Sequence, residues 1–161
     1  MRGFTLTELL AVTVLVFLLG AGCVVVFHWF AGVRMSIAAD DYVAGIRLAR
    51  ELAVVRGNRY CWTQVEDKSS QGWMVAEGGE KVIMESKSNF NKKMQVRNTR
   101  TLVAGVCFDS TGVALMPNGA FQAGSIYLCD HMGKGVRITV NRGGRVRRSF
   151  GLTELEGCNS L

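Results

Sequence analysis

The chain has 161 residues, a positive mean hydropathy and a formal net charge of +6. That length holds one long apolar segment plus a single modest domain of about 100 residues built on one core, and excludes a multidomain architecture. Two histidines and five cysteines with no compact CxxC pair exclude the common zinc frameworks, and the absence of a P-loop, nucleophile motif or metal cluster argues against an enzyme.

In chain order, Met1-Arg2-Gly3 comes first, followed by Phe4-Thr5-Leu6-Thr7-Glu8-Leu9-Leu10, and from 9 to 27 Thr13 is the only polar residue. Such a run is long enough to span a bilayer as a helix. A carboxylate carried into the bilayer with this run costs roughly 2.5–3.5 kcal/mol on insertion scales, which marks Glu8, in the first turns of the helix, as functional and in need of a counter-charge. The apolar core is longer than that of a signal peptide, and no A-x-A-like cleavage site follows it. His28-Trp29-Phe30 reads as an aromatic boundary at the water interface, with His28 interfacial rather than a ligand. Beyond it Met35, Ala39, Tyr42, Ile46, Ala49 and Ala53 recur at steps of three and four, the mark of one helical face. Arg34, Asp40, Asp41, Arg47, Arg50 and Glu51 decorate the other faces, and Gly57-Asn58 ends the helix. From 4 to 56 it would be roughly 80 Å long.

The remainder reads as β. Strands are expected over 59–65, 72–76, 81–86, 92–98, 102–108, 112–116, 125–130, 136–141 and 145–150. They are separated by Ser69-Ser70-Gln71-Gly72, Gly78-Gly79, Asp109-Ser110-Thr111-Gly112 and Pro117-Asn118-Gly119. Trp62 and Trp73 are expected in the core. A long helix followed by a run of strands is an α+β layout.

The segment Gly3-Phe4-Thr5-Leu6-Thr7-Glu8-Leu9-Leu10 resembles the processing site of type IV pilins and type II secretion pseudopilins. The resemblance implies that a prepilin peptidase cuts between Gly3 and Phe4 and N-methylates Phe4. It also implies that Glu8 meets the N-terminal amine of a neighbouring subunit during assembly, consistent with a buried carboxylate being tolerable opposite a cation. Further along, several segments are similar to the GspH/FimT group of minor pilins and H-type pseudopilins: Arg47-Leu48-Ala49-Arg50-Glu51-Leu52-Ala53 with Arg56-Gly57-Asn58, Gly72-Trp73-Met74-Val75, and Val106-Cys107-Phe108-Asp109-Ser110-Thr111-Gly112. Ile126-Tyr127-Leu128-Cys129, leading into Gly144-Arg145-Val146-Arg147, completes the likeness. The implied fold is type IV pilin-like, a long N-terminal helix packed on an antiparallel sheet. Its parts would be a leader at 1–3, a transmembrane and assembly helix at 4–33, an amphipathic half-helix at 34–56 and a β-rich domain at 57–161. Many such proteins carry a helix-kinking proline at the position of Val25; the only proline here is Pro117.

Cys23 lies in the apolar helix and reads as a small hydrophobe. Cys61, Cys107, Cys129 and Cys158 fall in the domain, which on export would meet an oxidising compartment where two disulfides are expected. Three pairings are open. Cys129–Cys158 is preferred, because it would staple the C-terminal tail to a strand, and Cys61–Cys107 is left over.

Between 131 and 150 stand Lys134, Arg137, Arg142, Arg145, Arg147 and Arg148 with no acidic residue, whereas the rest of the chain is near charge balance. Such a patch points to a polyanionic partner. With Arg142-Gly143-Gly144 as a three-residue turn, Asn141 faces Arg145, Thr139 faces Arg147 and Arg137 faces Ser149 on one side of a ribbon. Val140 faces Val146 and Val136 faces Phe150 on the other. Arg145 and Arg147 would then lie about 6.6 Å apart on the same side. Arg148 falls opposite Ile138 on the apolar side and has to leave at the edge or find a partner. Gly144-Arg145-Val146-Arg147 resembles the GRxR motif of FimT-type minor pilins, which implies DNA binding during natural transformation. A solvated basic edge that protects the sheet from aggregation is the other reading.

His131 has no arranged partners, and Asp40-Asp41 and Glu66-Asp67 are too close in sequence to diagnose acid–base work. The expected partners are therefore other minor and major pilins, DNA, the prepilin peptidase and the inner membrane, with no cofactor and no small-molecule substrate. The domain would be periplasmic, then extracellular near a pilus tip. An H-type pseudopilin or a tip-priming subunit without DNA binding is the alternative. The mature protein is expected to begin at N-methylated Phe4, and Glu8→Ala to insert normally yet assemble poorly. Intact mass showing a Met1 terminus in cells with an active prepilin peptidase would refute this.

Overall fold

Helix periodicity, two-residue alternation and glycine punctuation account for the elements observed. The computed structural model describes residues 6–66, 71–88, 94–130, 135–150 and 158, with the backbone alone over 21–32 and at 88. Gly3, Phe4, His131 and Lys134 lie outside the described residues. Helix α1 (Leu6–Arg56) comes first. Nine strands follow among the described residues: β1 (Tyr60–Glu66), β2 (Gln71–Glu77), β3 (Lys81–Ser88), β4 (Gln95–Asn98), β5 (Val106–Phe108), β6 (Ala114–Leu115), β7 (Gly124–Cys129), β8 (Gly135–Val140) and β9 (Val146–Phe150). The chain divides into two compact units, Met1–Arg34 and Met35–Leu161.

In the first unit the large apolar side chains described, from Leu6 to Leu19, are all exposed around the helix. Thr13 Oγ1 donates to the Leu10 carbonyl at 2.9 Å, so this hydroxyl is satisfied within the helix. Among the described residues no helix is long and apolar enough to cross a membrane. The transmembrane helix expected over 4–33 therefore stands as a proposal.

In the second unit the strands form a five-stranded sheet of order β3-β2-β1-β5-β6 and a four-stranded sheet of order β4-β7-β8-β9. Every pairing is antiparallel. The helical face read from the sequence lies in the core: Ala39, Tyr42, Ile46, Ala49 and Ala53 are fully buried, Met35 packs at the margin, and Ala38 and Val43 join from the flank. Trp62, Val75 and Phe108 close on it from one sheet and Ile126, Leu128 and Ile138 from the other. Each such large side chain contributes roughly 1.5–3 kcal/mol by leaving water. Small helical residues set the distance of approach: a Cβ on Gly45 would come within 2.6 Å of the Trp73 ring. Tyr42 meets Trp62 edge to face with ring centroids 5.8 Å apart, and burial pushes its phenol pKa well above the ordinary value.

Two adjacent carboxylates, expected as surface decoration, instead tie α1 to both sheets. Asp41 accepts from Trp73 Nε1 at 2.9 Å and from Ser86 Oγ at 3.2 Å, holding β2 and β3. Asp40 forms an ion pair with Arg148 of β9. Covalent ties complete the frame, in the preferred pairing. Cys61–Cys107 joins directly opposed residues of β1 and β5 with Cα atoms 3.9 Å apart, and Cys129–Cys158 anchors residue 158 to the end of β7 at 5.8 Å.

Two strands are shorter than expected by more than one described residue. Over 102–108 only Val106–Phe108 is strand, because the chain leaves β4 in one sheet for β5 in the other. It does so through successive turns, Leu102 N–H donating to the Thr99 carbonyl (2.8 Å) and Gly105 N–H to that of Leu102 (3.0 Å), with Gly105 at φ 93°. Leu102 is thereby sunk into the core, and the fully buried Gln122 donates to the carbonyls of Thr101 and Gly105. Over 112–116 Gly112, at φ 78°, turns the chain before β6. Of the strand expected at 92–98, β4 supplies Gln95–Asn98, and 92 and 93 lie outside the described residues.

Alanine is the better helix former than glycine by about 1 kcal/mol. Gly45→Ala should nonetheless lower stability by about 1–2 kcal/mol, because Trp73 has to move from a packed core. Thermal denaturation of the variant against the parent checks the sign.

Candidate nucleic-acid interface

The β8–β9 ribbon forms in the register expected from its alternation: Val136 opposite Phe150, Arg137 opposite Ser149, Ile138 opposite Arg148, Thr139 opposite Arg147 and Val140 opposite Val146. Gly144 takes φ 73° at the turn, its N–H donating to the Asn141 carbonyl at 2.9 Å. Asn141 N–H donates to the Arg145 carbonyl, and Asn141 Oδ1 accepts from Arg145 N–H at 2.8 Å. A one-residue slip would expose the buried Val136, Ile138, Val140 and Val146, which is why the register holds.

The arginines differ sharply in what they already touch. Arg145, Arg147 and, at the turn, Arg142 are exposed, and among the described residues none pairs with a carboxylate. Arg137 is half-buried: its Nε donates to Ser125 Oγ at 3.1 Å and its guanidinium lies 5.6 Å from the Tyr127 ring centroid. Arg148 leaves the apolar side at the edge of β9 to pair with Asp40 and to lie 4.9 Å over Phe150. Its charge is compensated within the domain, so it is the poorest phosphate ligand of the set. Lys134 is outside the described residues.

Sheet register adds a residue that sequence reading missed. Arg97 of β4 stands opposite Tyr127, which stands opposite Arg137, which stands opposite Ser149, in one row across the outer face. Its only sequence signal is alternation within 95–98, which becomes informative once β4 is known to pair with β7. In the neighbouring rows Thr99, Thr101, Ser125, Thr139 and Asn141 line a groove of about 350 Å³ together with Arg137. Hydroxyl and amide donors of this kind position phosphate oxygens without reading bases. Among the described residues of the row from Arg97 to Ser149 the aromatic is Tyr127, which is half-buried under Arg137 and does not offer a free stacking surface.

The turn is held in place from behind. Asp109 Oδ1 accepts from Thr111 N–H (2.9 Å), Thr111 Oγ1 (2.6 Å) and Val113 N–H (3.0 Å), which fixes the loop over 109–113. From that loop Gly112 presents its carbonyl to Arg50 Nε at 3.1 Å, and Ala114 N–H donates to the Arg142 carbonyl at 3.0 Å. A Cβ on Gly144 would run into the Gly112 carbonyl and lie 2.8 Å from Arg50 Nε, so this glycine is required by contact as well as by φ. The Thr111 hydroxyl, and then the backbone N–H bonds, hold the Asp109 carboxyl below its usual pKa. Among the described residues no set of His, Cys, Asp and Glu is arranged to hold a metal.

Residues 38–144 match the family described as type II transport protein GspH. Solved structures with the same fold include the type IV minor pilin FimU of Pseudomonas aeruginosa strain PAO1, at 12% identity and TM-score 0.64, covering 81% of this chain and 98% of that one. They also include the minor pseudopilin EpsH from the type 2 secretion system of Vibrio cholerae, at 13% identity and TM-score 0.53, covering 72% and 96%. No curated protein sequence matches the chain.

Because the Asp109 pKa is lowered by folding, its contribution to stability is complete above the ordinary carboxylate value of about 3.9 and is lost as pH falls through the lower folded-state value. Asp109→Ala should therefore melt below the parent at neutral pH, with the gap closing as pH drops beneath about 4. Melting temperatures of both proteins across that range test it; a pH-independent gap would assign the effect to something other than the carboxylate.

Proposed function

The chain belongs to the GspH family of type II transport proteins, and on that footing we propose that it is a minor pilin that binds DNA through its β8–β9 hairpin. The observation that carries this reading is the juxtaposition of Arg145 and Arg147. They are exposed on one side of a pinned ribbon, with no carboxylate against either among the described residues. A guanidinium is a permanent charge with a planar fork of donors that suits phosphate oxygens. With no free aromatic surface among the described residues of that face, binding is through the backbone and shows little sequence preference. Arg142, and the groove beside Arg137, extend the contact, and Lys134 adds charge to the same segment. DNA held in this way would serve uptake in natural transformation.

The N-terminal segment supplies assembly in this reading. Prepilin peptidase cleaves between Gly3 and Phe4, the apolar run holds the subunit in the inner membrane with its C-terminal domain in the periplasm, and Glu8 receives the N-terminal amine of a neighbouring pilin. The exposed apolar side chains from Leu6 to Leu19 support it, since such a surface needs lipid or other helices around it. The subunit then becomes extracellular at or near the pilus tip. The family match equally favours an H-type pseudopilin or tip-priming subunit whose partners are proteins alone.

Titration of the full-length protein in a non-ionic detergent with single- and double-stranded DNA separates these readings. Binding should fall with salt, each neutralised phosphate contributing about 0.9 to the log–log slope on duplex DNA. Arg145→Ala with Arg147→Ala should weaken all sequences alike and flatten the slope by roughly one unit per arginine, with an unchanged melting temperature. Undiminished binding with an unchanged slope would leave the pseudopilin reading in its place.

A further inference from the structure

Behind the outer face, a cleft of about 620 Å³ opens between the second half of α1 and the β8–β9 turn. Arg47, Arg50 and Glu51 line its helical wall, and Gly144 and Arg145 the opposite one. Three guanidiniums thus face a single carboxylate, and among the described residues Arg47, Arg50 and Arg145 form no ion pair. Arg50 is half-buried, with its Nε committed to the Gly112 carbonyl at 3.1 Å and its Nη groups without a hydrogen-bond partner among the described residues. A cation partly withdrawn from water without an ion-pair partner gains more from an incoming anion than an exposed one does. Val54 and Val55, both exposed, form its apolar rim. The helical residues share one stripe: Arg47, Arg50, Glu51 and Val54 fall at i, i+3, i+4 and i+7.

Arg145 belongs to both surfaces, since it stands beside Arg147 on the ribbon and lines the cleft. We propose that the cleft seats a further phosphate of the strand held by Arg145 and Arg147, so that the nucleic-acid track turns from β9 onto α1, with Arg47 and Arg50 as its ligands. This inference rests on the reading of the hairpin as a DNA-binding element. Arg50 has two duties, fixing the Gly112 loop behind the turn and offering its Nη groups to the anion. Arg47 is exposed and has only the second, which makes it the position to test.

The experiment is a salt titration of duplex DNA binding by the full-length protein in non-ionic detergent, comparing Arg47→Ala and Arg47→Lys. Lys81→Ala, on β3 of the other sheet, controls for the loss of one charge. Arg47→Ala should flatten the log–log slope by about 0.9 and weaken binding about eightfold near 0.1 M salt, the difference closing towards 1 M. Arg47→Lys should keep the slope, and Lys81→Ala should behave as the parent. If Arg145→Ala with Arg147→Ala flattens the slope while Arg47→Ala matches Lys81→Ala, the second seat is overturned and the hairpin reading survives. If Arg47→Ala leaves DNA binding intact but blocks incorporation into filaments, the cleft belongs to a carboxylate of a partner subunit, and the proposal falls. If no arginine variant moves the slope, the hairpin reading and this inference fail together.

Discussion

The close approach of two antiparallel sheets to the small residues of α1 is the constraint from which the rest of the domain follows. Ala38, Ala39, Gly45, Ala49 and Ala53 leave room for Trp62 and Trp73 to lie against the helix, and larger residues there would drive the sheets apart. The large side chains along the same stretch, Tyr42 and Ile46, fill the space between the layers. Asp41 and Asp40 then fix the helix to one sheet each, a neutral donor set in the first case and a guanidinium in the second. The hairpin inherits its position from this arrangement. It meets α1 through Arg148 and through the Gly112 loop that Arg50 holds.

Basic residues that look equivalent in composition separate by what each already touches. Arg148 is compensated by Asp40, and Arg137 is spent on Ser125 and Tyr127. Arg145 and Arg147 have no carboxylate among the described residues. A patch of six cationic side chains is therefore not six ligands. Rigidity matters alongside charge: a turn pinned by Asn141, Gly112 and Ala114 presents its guanidiniums with less ordering left to do on binding than a loop would.

Much of this was legible in the sequence, for identifiable reasons. Helix periodicity over 35–53 reported burial directly, because a half-buried helix in a two-sheet core tolerates only apolar or small residues on its inner face. The β8–β9 register was equally plain, since a glycine turn and strict alternation leave one pairing that buries the valines. The pairing of Cys129 with Cys158 followed from a tail that needed fastening. What alternation cannot convey is which sheet a strand joins. The division into two sheets turned the stretch before Val106 into a crossover, and it brought Arg97 into one row with Arg137, across Tyr127, from forty positions away. Asp40 and Asp41 were read as decoration because they fall off the apolar stripe, and adjacent residues on a helix point in different directions. That property is what lets each reach a different sheet.

The Cys129–Cys158 bridge has a mechanical consequence. It closes a covalent ring around the entire β8–β9 hairpin, with its two ends 29 positions apart in the chain. Among the described strands β9 is at the edge of its sheet and has a ladder with β8 alone, the kind of strand that a pull at the turn would peel first. With the ring closed, a pull there can draw out no more than about 50 Å of slack before the tension passes through sulfur into β7. β7 is clasped on both sides, by β4 and β8. A filament subunit that grips a long polymer by this hairpin would thus have a covalent stop built in. The same domain with its thiols reduced would lose that stop and keep only the non-covalent ties of the hairpin, the β8–β9 ladder, the Arg148–Asp40 pair and the bonds behind the turn.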